Sequence, residues 1–271
     1  MSRRRTRGTV WASALGLGLI VLAALVAPWI APAPPSALDL DGRLRGPSAQ
    51  HPFGQDELGR DILSRLLFGA RASLTTGLAV VLLAGSLGCV IGGLAGLAGG
   101  WVDALLMRLV DSVLAFPGLL LALALVAMLG PALEHVILAL VAIGWVGYAR
   151  LVRGQTARLR EREFVLAARA AGASWVSIFL RHALPNMAPL LLVQASLSMA
   201  GAMLAEASLS FLGLGLQPPT PSWGAMVNAG RGHLLDAPHL ALFPGLALFV
   251  VVVGLNVLAD TFGRTTEREA Q

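Results

Sequence analysis

Six long apolar runs separated by short polar blocks set the pattern of this chain, at residues 10–30, 72–98, 112–129, 132–148, 187–204 and 241–259. Each is close to or beyond the roughly 17 to 25 residues that a helix needs to cross a bilayer. The pattern predicts an all-α membrane protein with six transmembrane helices. The charged residues obey it: Arg108, Asp111, Glu134, Arg150, Glu206 and Asp260 fall at or beyond the ends of these runs. A charge at the centre of a span costs about 2.5 to 3.5 kcal/mol on the insertion scale.

Composition agrees. Of 271 residues, 56% are hydrophobic and 13% charged, with a mean hydropathy of +0.75, more apolar surface than one soluble core of this size can hide. The net charge of +5 comes entirely from arginine, since the chain contains no lysine. The arginines sit in blocks between apolar runs, which fits membrane topology and not nucleic-acid binding. With the N-terminus inside, 14 of the 20 basic residues fall on the cytoplasmic side. They include Arg3, Arg4, Arg5, Arg7, Arg108, the block from Arg150 to Arg181, Arg264 and Arg268, so the positive-inside rule places both termini in the cytoplasm.

Arg3-Arg4-Arg5 before an apolar run also resembles a secretory signal. The run continues through Trp29 and Ile30 into prolines, longer than the roughly 7 to 15 residues of a signal core, which favours a retained anchor; removal would leave five spans. The expected organisation is an anchor and extracytoplasmic segment at 1–71, a transmembrane domain at 72–260 with a cytoplasmic loop at 150–186, and a cytoplasmic tail at 261–271.

Gly88, Gly92, Gly96 and Gly100 recur every fourth residue and predict a helix face on which another backbone packs closely. No paired carboxylate, histidine cluster or mid-span arginine is present to couple ions, which argues against a secondary transporter. Gln194, Ser196, Ser198, Glu206 and Asn256 are candidates for a polar pathway, with interhelical hydrogen bonding as the plainer reading. Cys89 is the sole cysteine and sits in an apolar run, so a packing role is expected. His233 and His239, six apart on a loop, read as loop chemistry and not as a metal site, and Asp61 with Arg65 reads as a solvated i,i+4 pair. No catalytic residue, cofactor or metal is assigned.

The stretch between the fourth and fifth spans is too long for a connector between neighbouring helices, usually 2 to 8 residues. Glu163 to Ala171 reads as a short helix stopped by Gly172, and Ser174 as the N-cap of a second, with Leu184-Pro185 turning the chain back into the bilayer. Such a helix, with a small-residue face, suits insertion into a groove on another protein.

Ala167-Ala168-x-x-x-Gly172 followed by Leu184-Pro185 resembles the EAA loop of binding-protein-dependent ABC permeases. Two further segments are similar to the second permease subunit of the dipeptide, oligopeptide and nickel importers: His51-Pro-Phe-Gly-Gln-Asp-Glu-Leu-Gly-Arg-Asp-Ile-Leu-Ser-Arg65, and Ala205-Glu-Ala-Ser-Leu-Ser-Phe-Leu-Gly-Leu-Gly-Leu-Gln-Pro-Pro-Thr-Pro-Ser-Trp-Gly224. The resemblance implies a type I importer fold in a bacterial inner membrane and a coupling role for Glu163, Ala167, Ala168, Arg169, Gly172, Leu184 and Pro185. It also implies a homologous permease as heterodimer partner, two ATPase subunits and an extracytoplasmic solute-binding protein. Peptides are the leading substrate, with nickel or another small solute as the alternative. Leu166 stands where the motif usually has Glu, so only the steric part of the motif is intact. Without lysine the chain cannot hold the nucleotide-binding Gly-x-x-x-x-Gly-Lys-Ser/Thr loop, and ATP hydrolysis falls to the partners.

Overall fold

The computed structural model describes the backbone of residues 2–269 and the side chains of residues 12–263. The terminal arginines used for orientation, Arg3, Arg4, Arg5, Arg7, Arg264 and Arg268, lie outside the described side chains. Among the described residues the fold is helical, apart from one isolated bridge between Gln55 and Asp61. Four helices are long and apolar enough to span a membrane, five if one bent pair counts as a single span.

Helix α1 (Ser2–Leu25) stops short of the expected run and is followed by a single turn, α2 (Ala27–Ile30), with Pro28 in its first turn. Helix α3 (Ile62–Ala98) begins ten residues before the apolar run that announced it, because Asp61 caps it: its carboxylate accepts from the Ser64 amide at 2.7 Å. The polar first turns, with Arg65 and Arg71, hide the start from a hydropathy reading. At the far end Gly99 takes φ +64° and breaks the helix.

The third predicted span, 112–129, is not one helix. It takes in only the end of α4 (Gly100–Leu114) and all of α5 (Gly118–Leu129), two helices bent by 81°. Pro117 at the N-cap of α5 disfavours helical geometry in the residue before it and has no amide to donate. Helix α6 (Leu133–Arg160) runs twelve residues past the expected end of the fourth span. After α7 (Glu163–Ala170), the chain passes through α8 (Trp175–Ile178) and a π-helical turn, Phe179–Ala183, straight into α9 (Leu184–Phe211). Leu184-Pro185 is therefore not a turn. The Leu184 amide reaches back five residues to the Phe179 carbonyl, and the wider π turn accommodates the proline. Helices α10 (Trp223–Gly230) and α11 (His239–Glu269) complete the fold.

The central packing is α3 along α6, and three glycines permit it. A Cβ on Gly88 would overlap Tyr148 Cβ, and one on Gly92 would overlap the Ala149 carbonyl oxygen; one on Gly96 would lie 2.7 Å from Thr156 Cβ. Gly100 departs from the expected register. It sits beyond the break at Gly99 with φ +55°, and a Cβ there would meet nothing within 4 Å. Two apolar clusters follow from this arrangement. One joins α3, α4, α5 and α6 through Val80, Val110, Val126, Val136 and Trp145; the other joins α3, α9, α10 and α11 through Ile62, Met203, Trp223 and Val251. Leu78, Leu82, Val90, Leu242 and Phe249 remain exposed, an apolar perimeter suited to lipid.

Candidate functional site

Helix α7 ends as its sequence predicts. Gly172 adopts φ +87°, its amide donates to the Arg169 carbonyl at 2.9 Å, and the Ala173 amide reaches the Ala168 carbonyl at 3.0 Å, the paired bonds of a glycine-terminated helix. Ser174 caps α8 by accepting from the Ser177 amide at 3.2 Å. Val165 is the buried anchor of α7, beside Leu159, Trp175 and Ile178. Arg169 lies 4.2 Å over the Trp175 ring, and Phe164 meets His182 edge-on. The remaining surface is open. Glu163, Ala167 and Gly172 are exposed, Ala168 is half-buried, and Leu166, Val176 and Leu180 are each more than half exposed. Pro185 is exposed and Leu184 half-buried at the root of α9. Leu166, in the place of the motif's Glu, adds to an apolar surface.

This surface hangs from a stiff frame. Arg153 on α6 grips Asp103 on α4 through Nε to Oδ1 at 2.9 Å and Nη2 to Oδ2 at 2.5 Å. Arg150 Nη2 meets Asp111 Oδ1 at 2.6 Å. Arg160 Nη1 donates to the Leu97 carbonyl at 3.1 Å, beside the end of α3. Asp103 and Arg153 lie fifty residues apart, so no local pattern announces their pairing.

The pathway candidates do not converge on one site. Gln194 Nε2 donates to Ser198 Oγ at 3.2 Å, and Ser198 lines a cavity of about 220 Å³ between α3, α5, α6 and α9. Tyr148 lines the same cavity, with its hydroxyl buried. Ser196 bonds its own helix at the Leu192 carbonyl, as does Asn256, exposed on α11, at the Val252 carbonyl. Glu206 is not beyond the end of its span but inside α9 and fully buried. Its oxygens accept from Ser210 at 2.8 Å and from Ser73 at 3.2 Å, fastening α9 to α3.

The opposite end holds a buried charge network that the sequence reading mispaired. Asp61 does not bridge to Arg65 in solvent; it caps α3 and meets His51 Nδ1 at 2.9 Å. Arg65 pairs instead with Asp56 at 3.4 Å, which also takes Arg60 Nε at 2.6 Å, and all three are buried. Nearby, Gln55 Nε2 donates to Asp39 Oδ2 at 3.0 Å and holds that carboxyl below the usual carboxylate range. Trp223 at the start of α10 is buried and donates from Nε1 to the Leu66 carbonyl at 3.0 Å. His233 faces Glu57 at 3.9 Å, and His239 packs against Gly54.

Comparison with known proteins places this architecture. Residues 88–269 match the family described as "Binding-protein-dependent transport system inner membrane component". The glutathione transport system permease protein GsiD of Escherichia coli O6:K15:H31 (strain 536 / UPEC) is 45% identical over 259 residues, covering 95% of this chain and 86% of that protein. The probable D,D-dipeptide transport system permease protein DdpC of Escherichia coli (strain K12) is 44% identical over 248 residues, covering 92% and 83%. Among solved structures, the inward-facing MetNI methionine ABC transporter shares the fold, with a TM-score of 0.61 at 16% identity over 76% of this chain and 97% of that one. The chain belongs to the binding-protein-dependent inner-membrane component family and is a multi-pass permease subunit of an ABC importer with the type I fold.

Proposed function

We propose that this chain forms half of the translocation pathway of a peptide importer, paired with a homologous permease and driven by two ATPase subunits that grip α7. The carrying observation is the form of α7: an eight-residue helix anchored by one buried residue, Val165, and terminated by Gly172. It presents Leu166 and Ala167 outward, beside Val176 of α8 and Leu180 of the π turn, from a frame of paired charges. Apolar groups on a polar margin stay exposed when a partner covers them, and the family supplies that partner as an ATPase. Six spans with both termini in the cytoplasm, the first being α1, put α7 on the side where ATP is. Glu163, Ala168, Arg169, Leu184 and Pro185 frame the contact. The peptide assignment draws on the relatives named for glutathione and D,D-dipeptides.

Leu166→Asp together with Ala167→Arg tests the reading. The variant is expected to insert and remain folded, but to lose co-purification with the ATPase subunits and uptake of labelled dipeptide. Uptake at the parental rate contradicts the docking assignment, and a parent complex that imports nickel and no peptide contradicts the substrate assignment.

A further inference from the structure

We infer that the groove between α9, α10 and α11 holds the acyl part of one anionic phospholipid, whose phosphate pairs with Arg231 at the mouth. The groove has a volume of about 550 Å³. Its lining runs from Leu204 to Leu212 on α9 and from Gly245 to Val252 on α11, both long and apolar enough to span a membrane, and α10 adds Gly224 and Val227. Among the described residues Ser208 is the one polar side chain in the lining, and its hydroxyl donates to the Leu204 carbonyl of its own helix at 2.8 Å. Such an apolar recess disfavours water and offers a peptide no hydrogen-bond partner. Leu204, Leu212 and Phe249 on its walls are exposed, so it opens onto the outer surface of the bundle.

Its dimensions favour an acyl chain over a helix of another subunit. Eight residues of α9 at 1.5 Å each give a length of about 12 Å. Spread over that length, 550 Å³ leaves a channel about 7 to 8 Å across, narrower than the roughly 10 to 12 Å of a helix with its side chains. A hydrocarbon chain one methylene thick enters it.

The mouth supplies the charge. Arg231 directly follows α10, and its guanidinium lies 5.4 Å from the centre of the Phe211 ring, which is itself part of the lining. Arg231 is exposed. Among the described residues it forms no ion pair, unlike Arg60, Arg65, Arg150 and Arg153. A guanidinium takes phosphate through parallel N–H bonds, and one placed at the end of spanning helices, above an apolar groove, stands where a lipid headgroup lies. A zwitterionic headgroup brings its own cation to compete for that phosphate, so an anionic lipid is preferred. Neither the cargo nor the docking of α7 enters this assignment.

The test uses the assembled transporter in detergent, stripped of lipid and titrated with phosphatidylglycerol. A Cβ on Gly245 would meet nothing within 4 Å, so Gly245→Leu fills the groove without displacing its walls. The parent is expected to retain one phosphatidylglycerol in native mass spectra and to gain several degrees in thermal midpoint when the lipid is returned. Gly245→Leu is expected to lose both, from a starting midpoint no lower than the parent's. Arg231→Gln is expected to bind phosphatidylglycerol about fivefold more weakly, the contribution of one basic group beside an anionic headgroup, with phosphatidylcholine binding unchanged. Glycerol phosphate alone is expected to give no shift. Equal phosphatidylglycerol binding in the parent and both variants means annular lipid only and overturns the assignment. A shift from glycerol phosphate alone overturns it too, as does release of the homologous permease by Gly245→Leu, which would make the groove a subunit interface. Arg231→Gln alters only an exposed side chain and decides the matter if Gly245→Leu fails to fold.

Discussion

The two ends of this bundle are built differently. At the end carrying the 51–65 segment, charges are buried and paired: Asp56 holds Arg60 and Arg65, Asp61 holds His51 and the first turn of α3, and Trp223 bonds to the Leu66 carbonyl. At the end carrying α7, the described charges are exposed or half-buried and apolar side chains point outward, with Val165 as the buried contact of that helix. Buried ion pairs are costly to break, since the remaining charge is stranded, so the first end is rigid without help. The second is incomplete by itself. Between them, α3 and α6 touch backbone to backbone at Gly92 and Ala149, a shaft stiff enough to carry movement from one end to the other.

Breaking this contrast at its strongest point gives the largest effect. Asp56→Ala strands two buried guanidinium groups and is expected to cost about 3 to 5 kcal/mol, seen as a collapse of the thermal transition in detergent. Wild-type stability in that variant would show that the network is ornamental. Gly92→Ala tests the shaft: a Cβ overlapping the Ala149 carbonyl forces the helices apart at a cost of about 1 to 3 kcal/mol. By contrast, Gly154→Ala on α6, where a Cβ would meet nothing within 4 Å, is expected to be neutral or stabilising by up to about 1 kcal/mol. Smaller still is Asp111→Asn, which removes an ion pair whose side chains are each more than half exposed, and such pairs contribute less than about 1 kcal/mol. Leu166→Asp marks the low end. Its stability change is expected within about 0.5 kcal/mol, while ATPase co-purification falls sharply.

The same contrast explains what the sequence could and could not reveal. Helix α7 was legible to within one residue because its signals are local: helix formers from Glu163, a glycine at the left-handed stop, a serine N-cap at Ser174. The apolar runs located the spanning helices, but hydropathy is blind to direction. It merged the end of α4 with α5 across Pro117, and it missed the first ten residues of α3, where Arg65 is satisfied by Asp56 and by the Pro35 carbonyl instead of solvent. Asp103 with Arg153 and Glu206 with Ser73 join positions 50 and 133 residues apart, which no periodicity encodes. Gly100 fell in register with Gly88, Gly92 and Gly96 by spacing alone, and the break at Gly99 removed it from their face.

The central claim is that α7 is the handle by which an ATPase moves this pore. Leu166→Cys in a Cys89→Ser background, treated with a short bifunctional thiol reagent in membranes containing the assembled transporter, measures it directly. The account predicts a cross-link to a cysteine in the ATPase subunit, with Leu166→Cys labelled only by reagent admitted to the cytoplasmic face. Labelling from the exterior, or transport at the parental rate with α7 cross-linked to nothing, would contradict it.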